Sequence, residues 1–267
     1  MDGNKFYETI KKSAFQKQSR IILALDVQPN GNIGYVQNAI TLIKDLNALI
    51  CAVKVNRHLT LPLGLGKEIQ KILKLCNKLR LPTIMDCKIN DIGSTNKVIA
   101  RHYFETGFDA VTANPFVGWE DGLQSVFEIA ETFDRGVLLL VYMSHKGSWE
   151  GYGIEANDPK FGGTRPLYHL FAEKALAWGA EGAIVGATYP EKIREVYNIL
   201  GNKVPIYSPG IGVQGGRVKF AVSSGAMYLI VGRSIIRSND PVATAKELKN
   251  MAMNIGINLG KILPLLE

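Results

Sequence analysis

The sequence predicts a single (β/α)8 barrel with an additional N-terminal helix, spanning residues 1–267. Three observations predict it. Short apolar segments alternate with helical ones eight times along the chain. The centres of these short segments are continuously apolar, as strands buried on both faces are. No Pro/Ser linker or break in composition divides the 267 residues, and about 250 is typical of such barrels. An open doubly wound sheet is the alternative, but no G-x-G-x-x-G follows the first strand.

Taken in order, residues 1–19 read as a polar amphipathic helix ahead of the repeat. The first strand is 20–27, with Asp26 near its end, and Asn30-Gly31-Asn32 turns the chain into a helix over 34–47. The second strand, 49–55, carries Lys54, and a helix covers 66–80. The third strand, Leu81 to Met85, leads into Asp86-Cys87-Lys88-Ile89-Asn90-Asp91-Ile92-Gly93-Ser94-Thr95, followed by a helix over 95–106. The fourth strand is 110–113, with a helix over 120–132, and the fifth is 136–142, ending in Met143-Ser144-His145. A Gly-rich segment, 146–165, reads equally as a mobile cover for a site and as an inert surface excursion. A helix over 166–178, a strand at 182–185 and a helix from Pro190 come next. The seventh strand is 204–207, a helix covers 216–224, and the eighth strand is 227–231. Asp240 can cap the final helix, with Pro241 at its first position.

The composition, 46% hydrophobic and 21% charged, is that of an ordinary soluble globular protein. A net charge of +7 permits acidic ligands such as phosphates without indicating nucleic acid, because the lysines are spread along the chain. The three cysteines, Cys51, Cys76 and Cys87, form no C-x-x-C pair; free buried thiols in a reducing cytoplasm fit them best. The four histidines lack H-x-x-x-H spacing, so no metal site is expected from them. No stretch reaches 18 apolar residues and no apolar signal core opens the chain, so neither a membrane span nor a targeting segment is expected.

The chemistry concentrates where the third strand gives way to a loop. In parallel α/β folds that is the carboxyl edge of the sheet, where sites are built. Asp86 and Lys88 are two apart and point the same way if the strand persists through them. An ammonium between two carboxylates, Asp86 and Asp91, could serve as a charged proton donor beside a fixed negative charge. D-x-K-x-x-D alone equally suits an ion-paired strand end facing water. Lys54 weighs toward function, because a lysine in an apolar strand is costly unless paired, and Asp86 and Asp91 are available partners. The loops after the seventh and eighth strands read Ser208-Pro209-Gly210-Ile211-Gly212-Val213-Gln214-Gly215-Gly216 and Gly232-Arg233-Ser234. Barrels often bind phosphate there; glycines admit backbone N–H groups, the following helix adds its dipole, and Arg233 offers a bidentate charge. Tight turns also need glycine, but two such loops with an arginine favour phosphate.

These motifs together resemble the orotidine 5′-phosphate decarboxylase family over nearly the whole barrel. They are Asp26, Lys54, D-C-K-I-N-D-I-G-S-T, M-S-H after the fifth strand, S-P-G-I-G-V-Q-G-G and V-G-R-S. The resemblance implies metal- and cofactor-free decarboxylation of orotidine 5′-monophosphate to uridine 5′-monophosphate by a homodimer of barrels. It implies that Lys54, Asp86, Lys88 and Asp91 form an alternating Lys-Asp-Lys-Asp array with Lys88 as proton donor. Asp86 would crowd the departing carboxylate, and Lys54 would pair with Asp86 and reach the ribose. Asp91, with Ile92 and Thr95, would come from the partner subunit. Asp26 would bind ribose hydroxyls, Ser144 the pyrimidine edge, and Gln214, Gly232 and Arg233, beside Pro209, the phosphate. Segment 146–165 is longer than compact members of the family lead one to expect. Sister barrels with the same signature, 3-keto-gulonate 6-phosphate decarboxylase and hexulose-phosphate synthase, use magnesium. They call for a further acid at the end of the second strand, where this chain has Val53-Lys54-Val55-Asn56. A non-catalytic barrel that binds nucleotide or nucleic acid through its basic surface is the reading from another class; it gives no reason for two lysines and two aspartates at strand ends.

Overall fold

The structure, a computed structural model, describes residues 5–27, 34–158, 162–212 and 216–255. Its strands are β1 (Ile21–Ala24), β2 (Ala52–Asn56), β3 (Thr83–Ile89), β4 (Ala110–Ala113), β5 (Gly136–Tyr142), β6 (Glu155–Asn157), β7 (Thr164–Pro166), β8 (Gly182–Val185), β9 (Ile206–Pro209) and β10 (Ala226–Val231). All but β6 and β7 pair in parallel and close into an eight-stranded barrel in the order β1-β2-β3-β4-β5-β8-β9-β10. The helices are α1 (Lys5–Lys17), α2 (Tyr35–Leu46), α3 (Arg57–Leu63), α4 (Lys67–Lys78), α5 (Gly93–Thr106), α6 (Gln124–Thr132), α7 (Leu167–Ala177), α8 (Pro190–Leu200), α9 (Gly216–Ser223), α10 (Arg233–Ile236) and α11 (Pro241–Asn254).

The two-residue period of the strands sorts their side chains between two cores. Outward residues such as Leu23, Val53, Met85 and Val111 join one core with the helix faces. On α4 that face is Ile69, Ile72, Leu73 and Cys76, at the spacing of successive helical turns. Inward residues Ile22, Ala52, Ile84, Ala110 and Leu138 form a second core inside the barrel. Continuing the inward phase toward the carboxyl ends leads from Ala52 to Lys54, from Ile84 to Asp86, and from Ala110 to Thr112. The barrel interior thus changes from apolar to charged within one layer.

The sequence-predicted N-terminal helix closes the opposite end. Phe6, Ile10 and Ala14 of α1 are buried in the inner core. Phe6 lies so near the start of β5 that a Cβ on Gly136 would approach its ring at 2.9 Å. Tyr7 N donates to Glu181 Oε2 (2.6 Å) and Ser13 Oγ to Cys51 O (2.7 Å). Glu181 is only 4% exposed, and burial pushes its carboxyl from an ordinary 4.5 up to about 8, against the opposing Tyr7 hydrogen bond. A carboxyl raised on folding stabilises the fold fully below its unfolded pKa and loses that contribution as pH rises through its folded pKa. The melting temperature should therefore fall between about pH 4.5 and about pH 8, and Glu181→Gln should flatten that fall. An unchanged slope in the variant would refute the assignment.

Several elements differ from the expectation. β3 does not stop at Met85 but runs through Asp86, Cys87 and Lys88 to Ile89. It does so with an irregularity: pairing with β4 passes from Met85↔Val111 to Ile89↔Ala113, and Lys88 sits at φ 50°. α3 arises just after β2, where Asn56 Oδ1 accepts from His58 N; the polar and proline residues around it obscured a helix. The described part of segment 146–165 has regular structure that the sequence reading did not specify: a 3-10 turn over Lys146–Glu150, then the antiparallel pair β6–β7. Its charges explain this, since Arg165 bridges Asp158 (2.7 Å) and Glu173 of α7 (2.5 Å). Asp240 caps α11 by accepting from Ala243 N, as expected. Cys51, Cys76 and Cys87 are free and buried, and burial pushes the Cys76 and Cys87 thiols up to about 12. Among the described residues no helix is long and apolar enough to cross a membrane.

Candidate active site

Asp86 is the hub. Its Oδ2 is hydrogen-bonded by Lys54 Nζ from the neighbouring β2, and its Oδ1 by Lys88 Nζ (2.6 Å). Thr112 on β4 donates its hydroxyl to the same Oδ1 (3.2 Å) and accepts from Lys88 N (2.9 Å). Burial alone would raise the Asp86 carboxyl, but the two ammonium charges and their hydrogen bonds overcome it and hold the group at about 2. Asp86 is therefore a fixed negative charge through the neutral range. Lys54 and Asp86 are almost fully buried, at 6% and 7% exposure, so each makes the other tolerable.

The hub opens onto a cavity of about 170 Å3, lined by Lys54, Asp86 and Lys88 together with the apolar Leu140, Ile184 and Ile230. Such a wall strengthens electrostatic interactions by excluding water. A wider cavity of about 480 Å3 adjoins it and shares Lys54, Ser144, Pro209 and Ile230 with it. Asp26, Gly232 and Arg233 line this wider part, as do Arg217 and Arg237. Asp26 Oδ1 is buried with no hydrogen-bond partner among the described residues; a ligand hydroxyl would supply one. The ends of β1 and β10 meet so closely that a Cβ on Gly232 would lie 2.9 Å from Asp26 Oδ2. Across the cavity, Gly210 adopts φ 95° and a Cβ there would crowd Ser144 at 3.2 Å.

The structure thus gathers Asp26, Lys54, Asp86, Lys88, Ser144, Pro209, Gly232 and Arg233 around one continuous cavity. Gln214 lies outside the described residues. Asp91, Ile92 and Thr95 are exposed at the start of α5 and line neither part of the cavity. Within its own chain Asp91 is not a partner of Lys54: its Oδ1 accepts from Ile92 N (2.8 Å), while Asn96 binds its backbone. Sequence reading missed three residues. Arg237 stands four after Arg233, the spacing of one helical face, and was findable on that ground. Arg217 follows the glycine-rich loop directly. Thr112 carried no signal beyond its inward phase with Ala110. Among the described residues no three His, Cys, Asp or Glu side chains group as a metal ion would need.

A lysine-clamped carboxylate deep in a barrel mouth, with arginines around the wider opening, defines a barrel enzyme for small phosphorylated molecules. Within that class the chain belongs to the orotidine 5′-phosphate decarboxylase / HUMPS family, whose profile matches residues 19–248. It is 34% identical over 233 residues to the orotidine 5′-phosphate decarboxylase of Methanosarcina barkeri, a match covering 87% of this chain and 94% of that protein. Among solved structures it is similar to Leishmania donovani OMP decarboxylase, with TM-score 0.78 and 26% identity over 94% of this chain and 98% of that one. It is also similar to orotidine 5′-monophosphate decarboxylase from Methanocaldococcus jannaschii complexed with inhibitor BMP. That match has TM-score 0.73 and 29% identity over 88% of this chain and 98% of the other.

Proposed function

We propose that this protein decarboxylates orotidine 5′-monophosphate to uridine 5′-monophosphate, the last step of de novo pyrimidine synthesis, using neither metal nor cofactor. The observation that carries the proposal is Asp86, with both oxygens held by ammonium groups at the base of an apolar-walled cavity. In this reading one barrel domain makes up residues 1–267 and works in the cytoplasm, which suits its three free thiols.

The phosphate lies against Arg233 and Gly232, beside Pro209, with Gln214 as a further ligand. Asp26 takes the ribose hydroxyls through the oxygen that has no hydrogen-bond partner among the described residues, and Lys54 also reaches the ribose. Ser144 holds the pyrimidine edge. The substrate carboxylate then stands beside ionised Asp86, which disfavours it until it leaves as neutral carbon dioxide. The carbon–carbon bond breaks with its electron pair left on the ring carbon. Lys88 stabilises that charge and donates a proton from Nζ; the resulting amine regains a proton from water. Grip on the distant phosphate supplies binding energy for organising the reacting end.

The same reading makes the enzyme a homodimer whose partner delivers Asp91, Ile92 and Thr95 to each cavity. Their exposure in the single chain supports this, as does the apolar surface of Ile92 and Val98, 64% and 53% exposed. Magnesium-dependent sugar-phosphate chemistry is the rival within the family. It is disfavoured because a divalent cation at Asp86 would have to displace two like charges already bound there. A non-catalytic nucleotide-binding barrel would leave the Lys54–Asp86–Lys88 cluster unexplained.

The test mixes purified protein with orotidine 5′-monophosphate and a chelator and follows the ultraviolet change to uridine 5′-monophosphate. Conversion unaffected by chelation is expected. No conversion by the folded protein would overturn the proposal, and activity that required magnesium would transfer it to the sugar-phosphate barrels.

A further inference from the structure

We propose that Thr112 is a positioning residue for the Lys88 ammonium, fixing that lysine at both its backbone and its charged end through one hydroxyl. The inference rests on the reading of Lys88 as proton donor and adds a residue that touches neither the substrate nor the reacting atoms.

The argument starts from the irregularity in β3. Between Met85↔Val111 and Ile89↔Ala113, three residues of β3 oppose Thr112 alone on β4. The regular ladder cannot satisfy every backbone group across such a stretch. Lys88 sits there at φ 50°, a conformation that costs a non-glycine residue energy unless its surroundings enforce it. Thr112 is fully buried, so its hydroxyl has no water to turn to. It accepts from Lys88 N at 2.9 Å and directs its own proton to Asp86 Oδ1 at 3.2 Å. Asp86 Oδ1 also receives Lys88 Nζ at 2.6 Å. The result is a closed ring: Lys88 backbone N–H to Thr112 hydroxyl, hydroxyl to Asp86 carboxylate, carboxylate to Lys88 ammonium. One side chain therefore holds the strained backbone and orients the carboxylate that aims the ammonium.

A hydroxyl that merely filled a polar gap would serve folding and no more. Two features separate the cases. The ring closes on the two ends of a single residue, and that residue faces the cavity. Valine matches threonine in shape but breaks both hydrogen bonds, leaving the Lys88 N–H without its partner.

The test compares wild type, Thr112→Val and Thr112→Ser, measuring kcat and KM for orotidine 5′-monophosphate and the stoichiometry and affinity of uridine 5′-monophosphate binding. In Thr112→Val, kcat per binding site should fall about 10- to 100-fold, the scale of a small misplacement of a reacting group. KM and product affinity should change less than about threefold, and Thr112→Ser should recover most of the lost kcat. In the Lys88→Ala background Thr112→Val should cost little further, since the group it positions is gone. Wild-type kcat in Thr112→Val overturns the inference. So does a loss that serine does not restore, or one that persists undiminished in the Lys88→Ala background. If Thr112→Val does not fold, Thr112→Ala against Thr112→Ser carries the same comparison. Failure of the parent reading would appear instead in the wild type or in Lys88→Ala, so the two failures are distinguishable.

Discussion

Lys88→Ala should leave a folded protein that binds uridine 5′-monophosphate and turns over orotidine 5′-monophosphate at least about 10³-fold more slowly than wild type. The fold should survive because the Lys88 side chain is 27% exposed and Asp86 keeps Lys54 as its counter-ion. Removing Lys54 instead would leave Asp86 without its most buried partner, and breaking such a pair costs about 3–5 kcal/mol. Alanine at 88 therefore separates chemistry from stability where alanine at 54 cannot. The size of the loss follows from two roles ending together: the ammonium stabilises the carbanion and supplies its proton. Steady-state rates together with calorimetric product binding check the expectation. Turnover near that of wild type would keep the family and assign the proton to another donor.

Equal amounts of Lys88→Ala and Asp91→Ala, each nearly inactive alone, should regain about a quarter of wild-type activity once their subunits exchange. Half of the random dimers are mixed, and each mixed dimer assembles one site from the intact Lys88 of one chain and the intact Asp91 of the other. The structure motivates the experiment. Asp91 is exposed, turns its carboxylate to Ile92 N, and lines no part of its own chain's cavity. If Asp91 served its own chain, the mixture would stay inactive, because neither site of a mixed dimer would hold both residues. Continued inactivity after demonstrated exchange would refute the shared site.

The elements that were legible in the sequence share a cause. Strands such as 110–113, 136–142 and 182–185 have glycine, aspartate or asparagine at one or both ends and no charged residue within them. β3 was read short because its charges imitate a loop; the counter-ions that let Asp86 and Lys88 remain in a strand come from β2 and from the bulge itself. α3 was missed because Pro62 and Thr60 argue against a helix locally, while Leu59 packs into the core. At the site, Asp86 with Lys88 and the Gly232-Arg233 loop could be read from spacing at strand ends. Thr112 could not, because one threonine in an apolar strand looks the same whether or not a bulge faces it. Arg217 reaches the cavity by a route set in three dimensions, whereas Arg237 repeats the helical spacing of Arg233.

The helix across the amino end of the barrel has a consequence for traffic. With α1 seated on the inner core and Leu140, Ile184 and Ile230 packed beneath the reacting end, the barrel is a blind pit with one mouth. On the proposed reaction the gas is formed at the bottom and the nucleotide is held at the rim. The small product must then pass the large one or wait beneath it. How quickly the nucleotide lets go would set how long the two products stay together, and with that the opportunity for the reverse reaction.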